Sequence, residues 1–122
     1  MTLYPTLRRR ALVTVVAVLA GSPALAGGRS IVGDWAPDPR QCRPVDGAVR
    51  IAPLGMAGDE FACTFKSVSR AGDVVTWRGS CSFADRSKAS TVVAALQDDR
   101  LSVRIDGNAL GSYRRCRAGS GA

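Results

Sequence analysis

Alternation of apolar and polar residues is the strongest regularity in this chain, and it is clearest between Asp59 and Phe83. Phe61, Cys63 and Phe65 alternate with Ala62, Thr64 and Lys66, while Val75, Trp77, Cys81 and Phe83 share one parity against Thr76, Arg78, Ser80 and Ser82. A period of two on both sides of the turn-forming Arg70, Ala71, Gly72 and Asp73 predicts a β-hairpin. Upstream, Ile31 to Trp35 reads as a short strand, and Pro37, Pro39 and Pro44 forbid regular structure until about Ala48. Val49 and Ile51 then alternate with Arg50 and Ala52 and are stopped by Pro53 and the glycines at 55 and 58. Downstream, Asp85 to Lys88 is a polar turn, and Leu101, Val103 and Ile105 alternate with Ser102, Arg104 and Asp106. A turn at Asp106, Gly107 and Asn108 leads to a last strand from Ala109 to Cys116. The segment from Ala89 to Leu96 fits one face of a short helix as well as a strand, and its β-branched centre favours the strand. The expected fold is all-β, with six to seven short strands in a small antiparallel meander barrel or a sandwich.

The cysteines sharpen the hairpin. If the turn centres on Gly72, the numbers of facing residues total 144, a condition that Cys63 and Cys81 meet. Directly opposed strand residues come close enough for a disulfide when their pair is the non-hydrogen-bonded kind. Cys63 with Cys81 leaves Cys42 for Cys116, tying the two ends of the domain; Cys42 with Cys63 and Cys81 with Cys116 is the alternative pairing. Zinc is not expected, because no Cys-x-x-Cys pair occurs and the chain has no histidine.

The first residues bear on compartment and on charge. Arg8, Arg9 and Arg10 precede an apolar run from Ala11 to Ala20, followed by Gly21, Ser22, Pro23 and the Ala24, Leu25, Ala26 tripeptide. Those three parts make a signal peptide over residues 1–26, cleaved before Gly27, and the run is too short for a transmembrane anchor. A periplasmic or secreted location follows, where disulfides persist. Three of the 17 basic residues leave with that segment, so 14 face 10 acidic ones, and the net charge falls from +7 to +4. Residues 27–117 then form one disulfide-stapled β domain, followed by a flexible tail at 118–122.

Candidate chemistry is sparse. Without histidine, the usual base for a serine or cysteine nucleophile is missing. Adjacent Ser87 and Lys88 are a solvated turn rather than a dyad, and the carboxylate pairs Asp59 with Glu60 and Asp98 with Asp99 lie at turns, where acids are common. No glycine-rich loop precedes a helix, so neither a nucleotide nor another cofactor is expected. Arg114, Arg115 and Arg117 cluster near Tyr113, but the other basic residues scatter among acids, and export removes the chain from nucleic acid.

Gly33, Asp34 and Trp35, followed by a meander and an arginine near the end, resemble the Gly-x-Trp opening of lipocalin-like barrels. That resemblance implies that Arg114 or Arg115 packs on Trp35, a cation and ring contact worth about 0.5–2 kcal/mol. Gly33, Trp35 and Cys42 are also similar in spacing to periplasmic inhibitors of secreted bacterial metalloproteases. In those inhibitors a free N-terminal segment acts, which maps to Gly27, Gly28, Arg29 and Ser30 here; they carry a single disulfide, whereas this chain has four cysteines. Glu60 before Cys63, Trp77 before Cys81, and Arg115 beside Cys116 resemble small exported four-cysteine proteins of proteobacteria, a group that brings no mechanism. The expected function is non-enzymatic binding by a monomer, with a protein partner such as a protease or lysozyme. An envelope assembly subunit and a carboxylate-dependent hydrolase are the alternatives.

Overall fold

The protein's structure, a computed structural model, describes residues 28–117, so the expected signal peptide, Gly27 and the tail at 118–122 lie outside the described residues. Among the described residues eight strands follow one another around a closed antiparallel barrel. They are β1 (Gly33–Ala36), β2 (Val49–Ala52), β3 (Gly55–Gly58), β4 (Phe61–Ala71), β5 (Val74–Phe83), β6 (Arg86–Gln97), β7 (Arg100–Ile105) and β8 (Asn108–Arg115). The barrel, not the sandwich, is therefore the architecture. One strand more is present than the alternation predicts, because Gly55 to Gly58 pairs with both neighbours instead of ending a strand. Glycines at both ends of β3 hide its period; only Met56, 2 % exposed, points inward. The polar turn after Phe83 is also shorter than expected, since Arg86 already pairs with Phe83.

The β4 and β5 hairpin forms as the alternation requires, and Cys63 faces Cys81 with 4.0 Å between their Cα atoms. Its register has two parts. Ala71 pairs with Val74, so the loop is Gly72 and Asp73 and facing residues in the outer half total 145. A bulge at Lys66, between the pairs Phe65 to Gly79 and Ser67 to Arg78, absorbs one residue and brings the inner half to 144. Gly79 sits opposite that bulge, where a Cβ would collide with the Thr64 carbonyl and the Phe65 backbone. Past the bulge the alternation of burial is lost, and Val68 is half exposed although it faces the buried Trp77.

Residues 89–96 are strand. β6 pairs along its length with β5, and its second half also with β7, so its backbone groups are satisfied as a strand while Val92, Ala94 and Leu96 point inward. The interior is filled by one contiguous cluster drawn from every strand and from Ile31 ahead of β1, with Trp35, Trp77, Ile51 and Leu101 among its largest fully buried side chains. Eight-stranded barrels have an interior that side chains can fill, and here they do. Phe65 and Trp77 stack with ring centroids 5.0 Å apart, and the Trp77 indole N–H donates to the Pro53 carbonyl at 3.0 Å.

The ring closes between β1 and β8 through only two residue pairs, Trp35 with Arg115 and Ala36 with Arg114. The Cys116 amide extends this ladder by donating to the Asp34 carbonyl. The Cys42–Cys116 disulfide, with Cα atoms 6.2 Å apart, then binds the proline-rich β1–β2 loop to the end of β8. Ala36, Cys42, Ala48 and Cys116 make a small second core beneath that bridge. Within the loop, Pro44–Asp46 forms a single 3₁₀ turn, with a proline at its start where no amide donor is needed.

Candidate functional site

Trp35 and Arg115 meet at the seam. The Arg115 guanidinium carbon lies 4.4 Å from the Trp35 ring centroid, and its Nη1 and Nη2 donate to the Val32 and Ser30 carbonyls at 3.0 and 2.7 Å. Beneath it, the Trp35 indole N–H donates to the Ile31 carbonyl at 2.9 Å. Gly33, at φ +137, makes the approach possible, because a Cβ there would stand 3.0 Å from Arg115 Nη1. The glycine and the tryptophan of the Gly-x-Trp opening thus serve one contact. Arg114 does not share it: its side chain reaches Asp99 at 3.8 Å, and its backbone partners are Ala36 and Arg100.

The N-terminal segment at residues 28–30, the leader, is anchored through Arg29 rather than free. The Arg29 amide donates to Asp73 Oδ1 at 3.0 Å, and its guanidinium reaches Asp73 Oδ2 at 3.2 Å and the Asp98 carbonyl at 2.8 Å. Arg70 in turn donates to the Arg29 carbonyl. The segment therefore crosses the end of the barrel that holds the β4–β5 and β6–β7 turns, with Ile31 plugged into the core. Of the four residues expected to contact a partner, Gly27 lies outside the described residues.

Two adjoining hollows open beside this anchor. One, of about 430 Å³, is lined by Arg29, Arg114, Arg115 and Arg117 with Asp98 and Asp99, over Trp35, Pro39 and Leu96. The other, of about 330 Å³, shares Asp98, Asp99 and Arg114 and adds Arg100. Separate hollows of about 440 Å³ and 280 Å³ lie beside Cys42 and Arg50 and beside Phe83 and Leu110.

The two carboxylate pairs do not meet one another, although Asp98 and Asp99 both line the adjoining hollows. Asp59 and Glu60 occupy the β3–β4 turn and Asp98 and Asp99 the β6–β7 turn, which meander topology puts at opposite ends of the barrel. Three other acids are held below their ordinary pKa: Asp34 chiefly by a hydrogen bond from Arg50, Asp73 by the Arg29 amide, and Asp106 by the Thr91 amide. Those shifts keep them ionised, the reverse of what a general acid requires. Ser87 and Lys88 point to different partners, the Ser82 hydroxyl at 2.7 Å and Asp106 at 3.3 Å, so they form no dyad. Compared with protein-family models, curated proteins and solved structures, the chain finds no match.

Arg100 and the leader's ties are what sequence reasoning missed. Arg29, Arg100 and the cluster at 114–117 are far apart in the chain, and only closure of the barrel puts them together. No spacing rule signals that meeting.

Proposed function

We propose that this chain is a non-enzymatic binding protein acting outside the cytoplasm, in the periplasm or beyond it, with another protein as its partner. The observation that carries the reading is the filled barrel: with its interior occupied by its own side chains, recognition falls to the outer surface and the rim. Two disulfides hold that surface in one shape, which lowers the entropy lost on docking.

Within this class, inhibition of a secreted protease or of a lysozyme is the sharper reading, supported by small size, rigidity and the Gly-x-Trp opening. Entry of the leader into a hydrolase cleft would first have to break the Arg29 contacts with Asp73 and Asp98. The rim is therefore the better candidate contact than the leader. The test is capture by oxidised protein from a periplasmic and secreted extract, followed by inhibition assays on each hydrolase recovered. Saturable capture with inhibition is the expected result. Capture of no protein by folded bait, verified by circular dichroism, would overturn the reading.

A further inference from the structure

Arg100 on β7 and Arg114 on β8 are cross-strand partners, both exposed. Like charges directly opposed on a sheet are destabilising. Arg114 has a counter-charge in Asp99, itself 78 % exposed and 3.8 Å away, too loose and too solvated to neutralise the pair, and Asp98 at the same turn lines the hollows beside it. Beside them, Arg115 is held rigid by the Trp35 ring and by two carbonyls, so part of its donor set stays fixed in place whether or not a ligand is present. Arg29 is matched by Asp73 and serves as a wall. The two hollows share Asp98, Asp99 and Arg114, so they make one trough, longer than a single small ion fills.

We propose that this trough, between β7, β8 and the leader, is the docking site for an acidic segment of a protein partner. Carboxylates of that segment lie against Arg100 and Arg114, whose planar forks match them bidentately. An apolar side chain next to the carboxylates, on the Arg114 side, lies in the larger hollow against Pro39 and the rim of Leu96. Charge decides the occupant: a second copy of this chain would bring the same arginines to the same place and be repelled. The inference rests on the binding reading above and names the surface and the partner chemistry that the reading leaves open.

The probe is a fluorescein-labelled peptide of alternating glutamate and leucine, followed by fluorescence anisotropy with the oxidised protein. Binding is expected at low salt, weakening as salt rises. The R100Q/R114Q variant is expected to lose roughly tenfold or more in affinity, as when charged partners at an interface are removed. Its Tm is expected to stay level or rise, because the variant relieves the Arg100 and Arg114 repulsion. A structural role for the pair predicts a fall in Tm instead, and that result would overturn the proposal. So would absence of peptide binding, equal affinity in the variant, or equally tight and equally arginine-dependent binding of inorganic polyphosphate, which would make the trough a phosphate site. In the extract experiment, equal capture of one partner by wild type and variant would overturn the docking site and leave the binding reading standing. Failure of the wild type to capture any protein would overturn both.

Discussion

Replacing both Cys42 and Cys116 by alanine isolates the contribution of the bridge across the seam. The bridge spans a sequence separation of 74. Loop-closure entropy for a ring of that size corresponds to about 4.5 kcal/mol at 25 °C, and an 18-residue separation such as that of Cys63 and Cys81 to about 3.2 kcal/mol. Both figures are upper values, because engineered and native bridges commonly give less than the entropic model predicts. Little packing is lost with the first bridge, since it lies in a four-residue side cluster and not in the barrel interior. Its effect should therefore fall on the unfolded chain. Urea unfolding of C42A/C116A is expected to show a loss of about 3–4.5 kcal/mol together with a steeper denaturant slope, because the released chain exposes more surface. A loss below about 1.5 kcal/mol with an unchanged slope would refute the reasoning and mean that the seam is held by its hydrogen bonds and by Trp35 alone.

Three further perturbations test other parts of the structure. Arg115→Ala removes the ring contact and two hydrogen bonds to the leader, and should cost about 2–3 kcal/mol by urea unfolding with faster hydrogen exchange at Ile31 and Val32; a cost under about 0.5 kcal/mol would refute the contact's role. Asp34, Asp73 and Asp106 have folded pKa values below their unfolded ones, so their stabilisation is complete above about pH 4 and is lost as pH falls through the depressed values. Urea midpoints should therefore drop on acidification below about pH 4, and the triple asparagine variant should drop less; an identical pH profile would exclude these three acids as the cause. Gly79→Ala places a methyl group against the backbone of β4 at the bulge and should cost about 1–3 kcal/mol, read from the thermal midpoint; a neutral effect would mean that the bulge can move aside.

Most of the fold is legible in the sequence, because a half-buried strand writes its period directly into the chain. The Cys63 and Cys81 pairing is the clearest case. It also contains a compensation that the sequence does not display: the loop centre lies half a residue beyond Gly72, and the bulge at Lys66 restores the register that places the sulfurs together. β3 is not legible in the sequence, because one inward side chain between glycines carries no period. The strand over residues 89–96 is ambiguous in the sequence because its decisive partners, β5 and β7, lie elsewhere in the chain. The Gly-x-Trp opening marked Trp35 and narrowed its partner to Arg114 or Arg115; the choice between them follows from strand parity at a seam whose register only closure sets. The arginine trough is the least legible part. Its members are contributed by the leader, β7, β8 and the residue beyond Cys116, and no local pattern connects them.

The narrow β1 to β8 seam also bears on the order of events in folding. β4, β5 and β6 meet through short loops and long ladders, so their pairing demands little chain closure, whereas the seam joins residues about 80 positions apart. We expect the seam to form last and, in the reduced chain, to open first, with unfolding proceeding by peeling from the two ends. Once Cys42 and Cys116 are oxidised neither end can peel away alone. The bridge then acts as a latch on the rate of unfolding and prolongs the life of the folded molecule.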